Sequence, residues 1–158
     1  MARPDITMTP EEAERFLAAG TTLEVATIGP DGFPHLAPMW YIVEDGKVVF
    51  RSYTKSQKIV NLRRDPRCTV LVEDGLAYAE LRGVMIRGIA RLVDDPAMVL
   101  GVYRSLAAKY PMVGPEPVEL DEVTLAAAFG HAAAKNTVVV IDPVRVTSWD
   151  HHKLGGSH

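Results

Sequence analysis

The chain has 158 residues, 47% apolar and 23% charged, with a formal net charge of −3. That suits one compact domain of about 100–150 residues and excludes intrinsic disorder. No apolar run approaches the roughly 20 residues that cross a bilayer, mild acidity argues against nucleic-acid binding, and a single cysteine, Cys68, excludes an internal disulfide or a cysteine-rich metal knuckle.

The N-terminus carries no apolar leader segment, so a cytoplasmic protein is expected. Thr9, Pro10 and Glu12 form a cap, a first helical position and a capping box for a short helix that Gly20 ends. From Thr22 the period changes to two. Thr22–Ile28, Phe33–Val43 and Lys47–Tyr53 read as three strands, separated by turn clusters at Gly29–Gly32 and Glu44–Gly46. Pro34 and Pro38 interrupt the second strand, which suits an edge.

Ser56–Arg64 predicts a helix with Ser56 as its N-cap, stopped at Asp65-Pro66. Cys68–Glu73, Leu76–Gly83 and Val84–Val93 read as further strands, with Gly83 and Gly88 marking a bulge or bend. Asp95-Pro96 opens a second long helix carrying Val99, Val102, Tyr103 and Leu106 on one stripe. The alanine-rich stretch 119–134 predicts a partial helix. Thr137–Ile141 and Val144–Trp149 are the final strands, broken at Asp142-Pro143. The expected domain spans residues 1–150, with 151–158 as a mobile tail. Hairpin spacing makes the sheet antiparallel. A sheet of this size closes to remove its edges, so a mainly β, small antiparallel barrel with flanking helices is the expected fold.

The segment Arg51–Arg67 is the most informative for chemistry. It holds six basic residues and one acid, a local charge of +5 in an acidic chain. Arg51, Ser52, Tyr53, Thr54, Lys55, Ser56, Gln57 and Lys58 run from a strand end into a helix start. Free N–H groups and the positive dipole end there suit a phosphate or carboxylate. Lys58 opposes the helix dipole unless an anion neutralises it. For Arg63 and Arg64 a solvated helix face is the better reading. On the second strand, His35, Ala37 and Met39 share one face, and Leu36, Pro38 and Trp40 the other. Small and flexible side chains beside aromatics suit a flat ring, and ordinary packing explains them equally well. His151-His152 and His131 stand at no metal spacing, and Cys68 reads as a buried structural thiol. No nucleophile elbow, P-loop or dinucleotide fingerprint is present.

The runs ATIGPDGFPHLAPMWY, VVFRSYTKSQKIVNLRRDPR and YAELRGVMIRGIARLV together resemble the flavin and deazaflavin oxidoreductases of the pyridoxamine-phosphate-oxidase-like split barrel. The SQK…NLRRDPR run is similar to the branch that uses coenzyme F420. The resemblance covers roughly residues 10–150. It implies a split β-barrel and a homodimer with cofactor at the subunit interface. The phosphate and acidic tail would lie at Arg51–Lys58 and the ring along His35–Met39, with a contribution from a later strand near Tyr78 and Ala79. It implies hydride transfer from reduced F420 to a small conjugated acceptor, and no catalytic side chain or metal. The alternatives are an FMN-dependent oxidase or reductase and a non-catalytic flavin or deazaflavin carrier. A homodimer is also expected because Met39–Val43 and Val84–Ile89 are more apolar than one small barrel can bury.

Overall fold

A computed structural model describes residues 5–155. Helix α1 (Pro10–Ala19) opens with the expected capping box. Thr9 Oγ1 accepts from Glu12 N at 3.2 Å, and Glu12 Oε2 accepts from Thr9 N at 2.8 Å. Strands β1 (Leu23–Ile28) and β2 (Pro34–Met39) form a hairpin, as do β3 (Ile42–Glu44) and β4 (Lys47–Tyr53). Asp45 and Gly46 turn the second with φ of 50° and 72°, the left-handed pair that matches strand twist. Then come α2 (Gln57–Arg64), β5 (Arg67–Asp74), β6 (Arg82–Val93), α3 (Pro96–Lys109), α4 (Glu122–Ala133) and β7 (Asn136–Asp150).

All pairings are antiparallel, in the order β2-β1-β5-β6-β7-β4-β3. The outermost strands, β2 and β3, are consecutive in the chain, with only Trp40 and Tyr41 between them. Seven flat strands at about 4.8 Å spacing would hold the edges about 29 Å apart. Met39 and Ile42 are three Cα steps apart, at most about 11 Å. The sheet must therefore curl until its edges meet, unbonded to each other, which makes the expected mainly β split barrel with flanking helices.

Alternation divides the apolar residues between two cores. Leu23, Val25, Phe50, Val70, Val84 and Val139 point into the barrel, and α2 plugs one end with Ile59 and Leu62. Val49, Val138 and Val140 point outwards, beneath Val99, Val102 and Leu106 of α3 and Leu125 of α4.

Four local expectations change. The strand expected over Phe33–Val43 is split, because the chain leaves one sheet edge at Met39 and joins the other at Ile42. Of the strand expected over Leu76–Gly83, only Arg82 and Gly83 are strand, as the start of β6. Gly75 turns the chain at φ 101°, Leu76–Glu80 lie exposed, and Tyr78–Glu80 make a 3-10 turn; pairing resumes at Asp74↔Arg82. The last strand is continuous through Pro143. The register shifts so that Arg87 faces Arg145 while Gly88 faces Pro143, and Val144 bulges out. The irregularity expected at Gly88 is thus a bulge, where proline is tolerated. A Cβ at Gly88 would come within 2.6 Å of Ile141 Cγ2. Finally, His151–Leu154 form a 3-10 turn capped by Asp150; residues 156–158 lie outside the described residues. The Lys153 ammonium pairs with Glu12 and donates to Thr7 O at 2.8 Å.

Candidate functional site

The end of the barrel closed by α2 gathers the C-terminal ends of β1 and β4 and the start of β2. Ser52, buried on the inner face of β4, shares a hydrogen bond with Ser56 (Oγ to Oγ, 3.0 Å). Lys58 donates to Ser52 Oγ at 3.3 Å. Ser56 is the N-cap of α2 but makes no side-chain cap bond; its hydroxyl is turned towards Ser52 instead. Lys58 is half-buried, and burial pulls its pKa below the usual lysine value. Beside this group, Asn61 is fully buried. It donates to Thr27 Oγ1 at 3.0 Å and accepts from Gln57 Nε2 at 2.8 Å. Thr27 faces His35 across the β1–β2 ladder, and His35 Nδ1 is buried without a hydrogen-bond partner among the described residues.

Ion pairing sorts the cations of the +5 segment. Arg63 pairs with Asp94 at 2.7 Å and Arg67 with Asp65 at 2.6 Å. Arg64 donates to the Ile28 carbonyl. Among the described residues, Arg51, Lys55 and Lys58 have no carboxylate within salt-bridge distance. Arg63 and Arg67 are thus neutralised where they stand, whereas Arg51, Lys55 and Lys58 are not.

The expected site is only partly assembled. Ser52, Ser56, Gln57 and Lys58 come together. Thr54 bonds Thr137 (Oγ1 to Oγ1, 3.0 Å), while Tyr53 and Lys55 are exposed. His35, Ala37 and Met39 face inwards on β2 and are half-buried, whereas Leu36 and Pro38 are exposed on the outer face. Arg51 does not join Lys58. It follows the outer face of β4, lies 4.2 Å from the Tyr103 ring centre and donates to Asn136 Oδ1 at 3.1 Å. Tyr78 and Ala79 are farther away still. They sit in the β5–β6 connection, at the opposite barrel end from α2, and β5 alone spans about 24 Å at 3.4 Å per residue. Within one subunit they cannot reach Lys58.

Thr27 and Asn61 were missed by reading the sequence. Asn61 lies about 100° round the helix from Leu62 and about 160° from Ile59, so the Ile59–Leu62 stripe gave no sign that it is buried. Within Met39–Val43 and Val84–Ile89, Tyr41, Ile42, Val84 and Ile86 are buried in one chain, while Trp40 and Ile89 stay exposed. Other large apolar side chains that are exposed include Phe33, Leu36, Leu76, Val123, Val144 and Val146.

No helix among the described residues is long and apolar enough to cross a membrane. The pyridoxamine 5'-phosphate oxidase family matches residues 9–150. A conserved hypothetical protein from Mycobacterium tuberculosis is 42% identical with a TM-score of 0.86, over 100% of this chain and 94% of that one. An F420 reductase is 26% identical with a TM-score of 0.66, over 87% and 98%. An FAD-binding protein from Mesorhizobium loti shares the fold at 18% identity and a TM-score of 0.66, over 90% and 94%. With a family match over most of its length and the same curled sheet, the chain belongs to the pyridoxamine 5'-phosphate oxidase family.

Proposed function

We propose that this protein is an oxidoreductase that uses reduced coenzyme F420 as hydride donor to a small conjugated acceptor. The observation that carries this reading is Lys58, a half-buried ammonium in the first turn of α2, held by one serine hydroxyl and with no carboxylate beside it among the described residues. A cation so placed is poorly stabilised until an anion arrives. Ser52, Ser56 and Lys58 bind the phosphate, with the free N–H groups of the α2 start beside them. The exposed Lys55 meets carboxylates of the tail, which FMN lacks. The inner face of β2, with Ala37, Met39 and the unpartnered His35 Nδ1, supports the ring. The bound deazaflavin supplies the hydride chemistry, and the protein orients it and excludes water. Tyr78 and Ala79 join such a site only from a second subunit, so the working unit is a homodimer. Similarity to an F420 reductase at 26% identity supports the tailed cofactor.

Titrating cofactor-free protein with F420 and with FMN, at low and high salt, tests this. F420 binds more tightly, and its affinity falls as salt screens the exposed charges. Lys58→Ala weakens F420 binding tenfold to a hundredfold, from loss of a charge-assisted hydrogen bond of about 1.5–3 kcal/mol, and leaves the melting temperature nearly unchanged. Tighter binding of FMN, with a yellow chromophore retained on purification, would replace the deazaflavin reading with the flavin one. A monomer mass by light scattering at micromolar concentration would refute the shared site.

A further inference from the structure

A concave site lies where β2 ends against α3. A cavity of about 370 Å³ is lined by Thr22, Pro38, Met39, Trp40, Arg51 and Leu106. Its size and its mix of apolar walls with one convergent charge are those of a small-molecule site. Two features of its wall are unexplained by packing. Among the described residues, Arg51 Nε is buried with no hydrogen-bond partner, and no carboxylate pairs with its guanidinium. Tyr103 and Asn136 hold the guanidinium in place, at 4.2 Å and 3.1 Å, without neutralising it. Trp40 remains 44% exposed although Tyr110 stacks on it at 4.7 Å and 13°. A fixed, uncompensated cation beside a braced indole suits a flat ring carrying a negative charge.

We infer that this cavity binds the acceptor, and that the acceptor is a planar conjugated carboxylate gripped by Arg51 and packed against Trp40. The assignment rests on the cofactor reading in one respect: Pro38 and Met39 belong both to this cavity and to the strand that supports the ring. It separates the two unpaired cations of β4 and α2 by task. Lys58, on the inner side, serves the cofactor; Arg51, on the outer side, serves the acceptor.

The test uses 2-naphthoate and its neutral counterpart 2-naphthamide as probes, titrated calorimetrically into cofactor-free protein. Naphthoate binds, naphthamide binds about tenfold or more weakly, and Arg51→Met loses naphthoate affinity by about the same factor. Arg145→Met, which removes an exposed arginine on β7, leaves naphthoate binding unchanged. Arg51→Met also keeps the F420 affinity of the parent. Equal binding of the two probes, no binding of naphthoate, or naphthoate binding indifferent to Arg51→Met overturns the inference. Loss of F420 affinity in Arg51→Met also overturns it, by returning Arg51 to the cofactor. If the parent fails to bind F420, the cofactor reading falls, while the naphthoate result still decides the cavity.

Discussion

Closure of the barrel depends on a two-residue link, and Tyr110 holds that link. Its hydroxyl accepts from Tyr41 N at 3.2 Å and lies 3.0 Å from the carbonyl oxygens of both Tyr41 and Thr21. Tyr41 is fully buried. Tyr110→Phe keeps the ring that stacks on Trp40 but removes the hydroxyl. The Tyr41 N–H then has no acceptor and no route to water, a cost of about 1–3 kcal/mol. Thr21 is exposed, so its carbonyl regains a water and adds little. The expected loss is about 2 kcal/mol. At about 2–4 °C per kcal/mol for a chain of this size, the melting temperature falls by about 4–8 °C. Urea unfolding followed by far-ultraviolet circular dichroism should show a lower midpoint with an unchanged slope. A loss below about 0.5 kcal/mol would refute the view that Tyr110 secures the crossing.

Gly83→Ala should destabilise by about 1–3 kcal/mol, because a Cβ there collides with the Trp149 ring; a urea midpoint equal to the parent's would show that the ring moves aside freely. Lys109 Nζ is buried without a hydrogen-bond partner among the described residues, 4.0 Å from the Tyr41 ring centre, and burial lowers its pKa to about 8. The unfolded chain, with Lys109 near its ordinary 10.5, binds more protons between about pH 8 and 10.5, so parental stability rises with pH across that window. Lys109→Met should be more stable than the parent at pH 7, and the gap should narrow by pH 9.5; urea midpoints with the same gap at both values would refute this.

Much of the local structure was legible because single residues dictate it. The Thr9 capping box, the Asp45-Gly46 turn and the Asp95-Pro96 helix start each need only their neighbours. What failed depended on partners far along the chain. Leu76–Leu81 has the composition of a strand, but no neighbouring strand extends past Asp74 and Arg82 for it to pair with. Pro143 reads as a break, yet a bulge opposite Gly88 absorbs it, and nothing near Pro143 in sequence announces that. In the site, Ser52, Ser56 and Lys58 follow from the order strand end, helix start. The separation of Arg51 was also available from strand alternation, which sends neighbours to opposite faces, but the run of charge obscured it. The distance of Tyr78 from Lys58 is a property of the whole barrel and no local motif encodes it.

The strand order also sets a timetable for biosynthesis. Both margins of the sheet, β2 and β3, lie in the first 53 residues, while β5, β6 and β7, which fill the space between them, come later. The ring is complete only when β7 inserts between β6 and β4, joining Val140 to Val49. A ribosome adding about 5–20 residues per second leaves the two early hairpins waiting several seconds for their partners. During that interval β1 and β4 present unpaired ladders, the template on which strands of different molecules associate. Such long-range pairing also slows folding after release. Production of this protein should therefore respond to translation rate and chaperone supply more than its finished stability would suggest, and the Lys47–Tyr53 strand is where nascent chains would first adhere.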